Sequence, residues 1–339
     1  DVFMQPQKYD PLINLLGERM GIDADGCVGP LVPPDPHLST FVPIIHGCDK
    51  FCSFCIIPYR RGREVSRTIN ELVQECKMLA NRGVIEVTLL GQNVDSYGHD
   101  LPNSPDLSDL LEAIHEQIPA IKRIRFLTSH PNDMSERIIG AVARFPRVME
   151  HINLPFQAGH DSVLANMRRG YTNADYKNLI VRIRNTIPNV SLATDLIVGF
   201  PGETEEQFEK SLEMLREVSF DKVHVAAYST RPGTIAERKM EDDVPLEEKT
   251  RRLKAVEALQ EQIATERNAN YLDRTVEVLI EGKNKGKWQG RTRTDKLVFV
   301  ENEAPLLGQL VNVRITRTSP WSLQGTIEEQ ELTPPRLGR

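Results

Sequence analysis

The sequence contains no run of eighteen apolar residues, so no segment reads as a membrane-spanning helix. It opens on Asp1-Val2-Phe3-Met4, with no basic stretch leading into an apolar one, so no secretory signal is visible. No initiator methionine stands first, and the chain is expected to be a fragment whose upstream part is unseen. Aromatic residues make up only 6% and include just two tryptophans, Trp288 and Trp321. Neither charge sign dominates: 42 Lys and Arg face 48 Asp and Glu, for a net charge of −6. That excludes a chain coated throughout for nucleic acid but leaves room for a local basic patch. Glycine (21) and proline (22) stay near background, which excludes collagen-like and low-complexity classes. Five cysteines are too few and too clustered for a disulfide scaffold, so a reducing cytoplasm is expected.

What is present is a chain of 339 residues, enough for two domains or one large domain with an appendage. Residues 1–37 read as a short helix near 11–20 followed by a Pro/Gly-rich linker. Residues 38–273 alternate strand and helix about six times, with apolar runs at 41–45, 84–90, 121–127, 149–154, 190–198 and 222–228. Two helix starts carry capping boxes, Thr68 with Glu71 and Thr204 with Gln207. The order implies a parallel sheet with right-handed crossovers, and six units predict an open, partial (β/α)6 TIM-like barrel. Its chemistry belongs on loops at the carboxyl ends of the strands. From residue 274 to 329 the texture changes to five short strands with glycine turns, which predicts a small antiparallel β-barrel. Residues 330–339 read as a tail.

The strongest chemical signal is Cys48-Asp49-Lys50-Phe51-Cys52-Ser53-Phe54-Cys55, directly after the first strand. Three thiolates at C-x3-C-x2-C can ligate three irons of a [4Fe–4S] cluster and leave the fourth iron open. The competing reading is structural zinc held by these thiolates and His46, although zinc sites usually pair two distant C-x2-C elements and no second pair exists. Cys76 shares an apolar helix face with Leu72 and Leu79 and reads as inert core, while Cys27 lies in a Gly-rich stretch.

The cysteine loop, on a six-unit partial barrel, resembles the radical S-adenosylmethionine (SAM) superfamily. Further stretches resemble its methylthiotransferases: Ile56 to Arg67, Leu90-Gly91-Gln92-Asn93-Val94-Asp95-Ser96-Tyr97, Thr128-Ser129-His130-Pro131, Leu154 to Gly159, Ile197 to Thr204, and Arg231-Pro232-Gly233-Thr234. The forms at Gln92-Asn93 and at His130 most resemble the branch that methylthiolates C2 of N6-dimethylallyladenosine beside the tRNA anticodon. The threonylcarbamoyladenosine tRNA and ribosomal-protein aspartate methylthiotransferases are the alternatives within the family. A zinc-stabilised RNA-binding protein is the alternative outside it. The terminal barrel resembles a TRAM domain. The resemblance implies a [4Fe–4S] cluster, S-adenosylmethionine, a tRNA anticodon stem-loop as partner, a flavodoxin or ferredoxin as electron donor, and a monomer with no membrane association. It also implies a second, auxiliary cluster on three upstream cysteines as sulfur source, whereas only Cys27 precedes Cys48 here.

Five residues are candidates for holding the cofactor. Gly91 permits close backbone approach, or simply ends a strand; Gln92 follows it. Gln157 offers a hydrogen-bonding amide or is an ordinary surface glutamine, and Asp195 is a strand carboxylate that needs a partner if buried. Gly199 shapes an adenine-facing wall or makes a tight strand-to-helix turn. His130 is placed at the mouth and is either a contact residue or structural. For tRNA phosphates, Arg60, Arg61, Arg63 and Arg67 cluster after the cysteines. Between 282 and 317, eight cations, among them Lys283, Lys285, Lys287, Arg291, Arg293, Lys296, Arg314 and Arg317, face three acids. Lys287, Arg291 and Arg293 are the foremost candidates there, with Trp288, Phe299 and Trp321 as stacking faces.

Overall fold

The computed structural model describes residues 36–328, together with Leu15 upstream. The expected helix near 11–20, Cys27 and the tail therefore lie outside the described residues. Strands β1 (Ser39–Pro43), β4 (Glu86–Leu90) and β5 (Arg123–Phe126) form one parallel sheet in the order β1-β4-β5. Strands β6 (His151–Asn153), β7 (Ser191–Val198) and β8 (Lys222–Ala227) form a second. A parallel bridge from Ile124 to Val148 links the two, so six strands run side by side as an open half-barrel. Between β1 and β4, β2 (Ile45–His46) and β3 (Val65–Ser66) pair as a short antiparallel ribbon, and the cysteine loop is carried at its tip.

Local chemistry sets the helices. Helix α1 (Ile57–Arg61) starts with Pro58 in its first turn. In α2 (Ile69–Asn81), the Thr68/Glu71 capping box satisfies the first free N–H groups, and Leu72, Val73, Cys76 and Leu79 face the core. Helices α3 (Leu107–Gln117), α4 (Glu136–Arg144), α5 (Asp161–Asn166) and α6 (Asn173–Thr186) follow. Helix α7 (Glu205–Val218) has the Thr204/Gln207 box, and α8 (Ile235–Lys239) is a single turn. The long α9 (Leu246–Ala269) buries Lys249, Arg252 and Gln260 along with Val256 and Ile263, so its inner face is more polar than its leucines imply. Arg252 pairs there with Glu203 at 3.0 Å.

Strands β9 (Thr275–Asn284), β10 (Lys287–Thr292), β11 (Leu297–Val300), β12 (Leu310–Thr318) and β13 (Leu323–Ile327) close a barrel in the order β10-β11-β13-β12-β9. Four of its seams are antiparallel, as expected, and the β11–β13 seam is parallel. Gly290 and Gly325 are required by close approach: a Cβ would sit 2.0 Å from the Leu279 carbonyl and 2.2 Å from that of Arg314. Trp288, expected as a stacking face, belongs to the barrel core instead; it is 7% exposed and its Nε1 donates to the Asn302 carbonyl at 3.1 Å.

The small barrel docks on the amino ends of the half-barrel strands. Arg123 Nη1 donates to the Arg291 carbonyl at 2.7 Å and Nη2 pairs with Glu277 at 3.0 Å. Arg125 donates to the Thr292 and Arg293 carbonyls at 2.8 and 2.9 Å while its Nε pairs with Glu86 at 2.9 Å. Arg293 pairs with Glu150 at 2.6 Å, and Lys296 with Asp221 at 2.8 Å. A cavity of about 650 Å³ lies at this seam, lined by Glu86, Arg125, His151, Glu281, Arg291 and Asp295. No cysteine among the described residues lines it.

Candidate functional site: the cysteine loop and the strand mouth

Cys48, Cys52 and Cys55 sit at the opposite, carboxyl end of the strands. Cys48 and Cys52 are buried and Cys55 is half-buried. Burial pushes the Cys48 thiol up to about 11 and raises Cys55 as well. The loop is fastened on all sides. Gly47 N–H donates to Gln92 Oε1 at 2.7 Å, and Cys48 N–H to the Gly62 carbonyl at 3.2 Å. Asp49 and Glu64 exchange backbone-to-carboxylate bonds at 3.2 and 3.3 Å. Lys50 Nζ reaches both carboxylate oxygens of Asp133 at 2.7 Å, and Oδ2 also accepts from Asn93 Nδ2 at 2.6 Å. Ser53 N–H donates to the Met167 carbonyl at 3.0 Å, and its own carbonyl accepts from Ala236 N–H at 2.8 Å. Gly47 has φ 78°, and a Cβ there would fall 2.0 Å from the Arg63 carbonyl, so only glycine fits.

Among the described residues no three His, Cys, Asp or Glu side chains converge on a point where one metal ion would be held. The three thiols share one short loop at C-x3-C-x2-C, a donor set that fits three irons of a cubane cluster. Polar atoms around the mouth add to the fit. Asn93 Oδ1, His130 Nε2 and Gln157 Oε1 are buried without a partner, at the ends of β4, β5 and β6. Buried polar atoms are rarely left unpaired, and a polar cofactor is one way to satisfy them. Phe51, Thr128, Gln157 and Arg168 all hold positive φ near this mouth, and such strain in residues other than glycine collects at functional sites.

The expected site residues divide. Gln157 is 8% exposed and has its amide oxygen unpartnered. Asp195 is raised by burial, against the charge of His224, a bond from Asn153 and the charge of Arg169. Gln92 directs its oxygen at Gly47 and so braces the cysteine loop. Gly91 is accounted for by packing, since a Cβ would strike Ile45 Cγ2 at 2.4 Å. Gly199, at φ 69°, would strike Lys249 Cγ at 2.4 Å, which supports its reading as a tight turn. His130 is buried and held neutral, lowered to about 2 by burial and then by the charges of Arg169 and Lys50. Its neighbour Asp95 accepts from Ser129 Oγ and His130 N–H at 3.0 and 3.1 Å, and burial raises it to about 7. Cys76 is core, with burial pushing its thiol to about 12.

Among the cations, Arg60 and Arg61 are exposed, and Arg63 reaches Asp49 at 2.9 Å while remaining largely in solvent. Arg67 is tied to Glu75 at 2.6 Å and to the Pro43 carbonyl at 3.0 Å. On the small barrel, Lys287 pairs with Glu301, Arg291 with Asp295, and Arg293 with Glu150. Lys296, counted in the basic excess, is buried against Asp221. Lys283, Lys285, Arg314, Arg317 and Trp321 are the exposed members of that surface. Sequence reasoning passed over Arg169, which is 6% exposed and donates to Cys52 Sγ at 3.3 Å. It also passed over Asn93, although that residue stands inside a motif it singled out.

The profile of the Radical SAM superfamily matches residues 42–215, and that of the TRAM domain matches residues 270–327. The chain is 54% identical over 303 residues to the tRNA-2-methylthio-N(6)-dimethylallyladenosine synthase of Dehalococcoides mccartyi (strain CBDB1), covering 89% of this chain and 72% of that protein. It is 57% identical over 293 residues to the synthase of the same name from Chloroflexus aurantiacus, covering 86% and 63%. Among solved structures, the coproporphyrinogen III oxidase of Escherichia coli, described as a radical SAM enzyme, superposes with a TM-score of 0.50 at 16% identity. That match covers 84% of this chain and 68% of the other, and it is a likeness of fold.

Proposed function

The chain belongs to the radical S-adenosylmethionine superfamily and, within it, to the tRNA methylthiotransferases, and from that membership we propose that it methylthiolates C2 of N6-dimethylallyladenosine at position 37, beside the tRNA anticodon. The observation that carries this reading is the C-x3-C-x2-C loop, braced from every side at the strand mouth, in a chain more than half identical to synthases of that name. Its cofactors are a [4Fe–4S] cluster and S-adenosylmethionine. When bound, this pair supplies a 5′-deoxyadenosyl radical, suited to an adenine C2–H that is neither acidic nor electrophilic enough for polar substitution.

The chain's own residues do the positioning. Cys48, Cys52 and Cys55 would hold three irons. Gln157, Asn93 and His130 present unpartnered polar atoms toward the cofactor and substrate space, and Asp195 adds a half-buried carboxylate. His130 is neutral, so its Nε2 offers a hydrogen bond without a charge. The longest strand of the half-barrel, β7 with 8 residues, rises about 26 Å and the others less. The small barrel therefore stands a sheet-height from the cysteines, placed to grip the anticodon stem while the loop enters the mouth. Lys283, Lys285, Arg314 and Arg317 are the phosphate-facing set, with Trp321 as a stacking face; Arg60 and Arg61 meet the loop. Arg63, Arg67, Lys287, Arg291 and Arg293 contribute through the ion pairs that hold these surfaces in place. The electron comes from a flavodoxin or ferredoxin in the cytoplasm, and the chain acts as a monomer.

Only Cys27 precedes Cys48 in these 339 residues, so the test addresses the radical half of the reaction. Anaerobic reconstitution should yield about four irons and four sulfides per chain. Dithionite and S-adenosylmethionine should then give 5′-deoxyadenosine, and Cys48→Ala should abolish it. Zinc in place of iron, or cleavage that survives in Cys48→Ala, would overturn the reading.

A further inference from the structure

Helix α5 ends in a turn where Arg168 N–H donates to the Ala165 carbonyl and Arg169 N–H to the Leu164 carbonyl, each at 3.0 Å. This is a Schellman motif, with Arg168 at φ 57° in the left-handed position that glycine usually fills. The turn lies along the cysteine loop: the Asn166 carbonyl accepts from Ser53 Oγ at 2.7 Å and the Met167 carbonyl from Ser53 N–H at 3.0 Å. It leaves Arg168 in solvent and drives Arg169 inward. The Arg169 guanidinium donates from Nη1 to Cys52 Sγ at 3.3 Å, from Nε to the Tyr171 hydroxyl at 3.1 Å, and from Nη2 to the Pro155 carbonyl at 3.4 Å. Tyr171 is fixed in turn by donating to the Phe156 carbonyl at 3.0 Å. Among the described residues no carboxylate lies in ion-pair contact with Arg169; its guanidinium bonds the neutral Tyr171 hydroxyl and the Cys52 sulfur, and Asp195 feels its charge only from farther off. A buried cation with no carboxylate bonded to it favours an anion in direct contact, and the Cys52 sulfur is the group so placed, becoming anionic when it ligates iron.

We propose that Arg169 sets the reduction potential of the cluster held by Cys48, Cys52 and Cys55, raising it through its hydrogen bond to the Cys52 sulfur. This rests on the cluster assignment above. Reduction adds one electron from the external donor and makes the cluster more negative. A buried guanidinium on a ligand sulfur favours that more negative state, and hydrogen bonds to cluster sulfurs are a recognised determinant of potential. Arg169 is thus a positioning residue for charge, acting through Cys52.

The test uses the reconstituted chain and three variants, Arg169→Met, Arg169→Lys and Tyr171→Phe, each checked for iron and sulfide. Midpoint potentials are read by electron paramagnetic resonance during a titration with low-potential mediators. At the wild-type midpoint, Arg169→Met should show a reduced-to-oxidised ratio at least tenfold lower, about 59 mV for a one-electron couple. Arg169→Lys and Tyr171→Phe should fall between it and wild type. An unchanged midpoint in Arg169→Met overturns the proposal. If Arg169→Met holds no iron, unchanged midpoints in the other two overturn it equally, and lowered ones support it. Failure of the wild-type chain to hold four irons overturns the cluster reading instead.

Discussion

Gln92 Oε1 accepts the Gly47 N–H at 2.7 Å, joining the end of β4 to the residue that opens the cysteine loop. Gln92→Leu removes the acceptor and leaves a loop N–H unpaired, at about 1–3 kcal/mol. The melting temperature should fall and iron should be lost to a chelator faster than from wild type. Gln92→Glu keeps an acceptor and should recover most of the retention. Equal iron loss from Gln92→Leu and wild type would show that the bond does not brace the loop.

Gly47 and Gly62 both have positive φ, at 78° and 79°, but differ in surroundings. A Cβ on Gly47 meets the Arg63 carbonyl at 2.0 Å, whereas one on Gly62 meets nothing within 4 Å. Gly62, at φ 79° and ψ −165°, sits in a backbone region essentially reserved for glycine, so Gly62→Ala should cost the backbone term alone, about 1–3 kcal/mol. Gly47→Ala should cost more in urea unfolding and also lower the iron content. The ordering of the two variants is the test.

Arg125 and Glu86 form an ion pair with side chains 5% and 3% exposed. Removing one partner strands a buried charge, at about 3–5 kcal/mol. Arg125→Met should lose that much in denaturant unfolding and expose the chain near residue 274 to protease. The double change Arg125→Met with Glu86→Leu should be milder than Arg125→Met alone. A double variant as unstable as the single one would contradict this account.

Burial lowers His151 to about 4, outweighing the raising effect of Asp295 and Asp221; Arg125 and Lys222 act in the same direction as burial. Its unfolded pKa is about 6.5, so as pH falls below that value the unfolded chain takes up the proton first. The stability that His151 contributes is present above pH 6.5 and fades down to about pH 4, a change of about 3 kcal/mol. Asp95, raised to about 7, works in the opposite sense over the same range. Comparing wild type with His151→Gln between pH 7 and 4 isolates the histidine, and the variant should show the shallower acid loss. Parallel curves would refute it.

On the terminal barrel, Lys285→Ala and Arg317→Ala should each weaken tRNA binding across sequences and reduce the salt slope by about one. Arg293→Ala should leave the salt slope unchanged while lowering stability, because its guanidinium is held by Glu150. Binding measured from low to moderate salt distinguishes the two kinds of cation. A full unit of slope lost in Arg293→Ala would return it to the phosphate-contact set.

Local rules made much of this molecule legible. The Thr68/Glu71 and Thr204/Gln207 boxes start helices where their spacing says they must, and the apolar runs became the six parallel strands. The cysteine spacing is itself a local pattern. What the sequence left hidden depends on partners far away in the chain. Arg293 looks like a free cation until Glu150 is seen beside it. Trp288 looks like a stacking face until the barrel closes around it. Arg168 and Arg169 are indistinguishable as letters, and only the left-handed turn at Arg168 sends one out and the other to Cys52. The parallel β11–β13 seam is hidden for the same reason, since strand order within a barrel is not written in any one strand.

Arg123 and Arg125 grip the small barrel chiefly by main-chain carbonyls of residues 291–293. A carbonyl is present whatever side chain the residue carries. Docking on this edge therefore places little demand on the identity of β10 residues, and their outward side chains are free to be exchanged as RNA targets change. The side-chain demand falls on Arg123 and Arg125 of the core and on the flanking Arg293–Glu150 and Lys296–Asp221 pairs. An attachment of this kind lets one half of a protein be retuned without releasing it from the other.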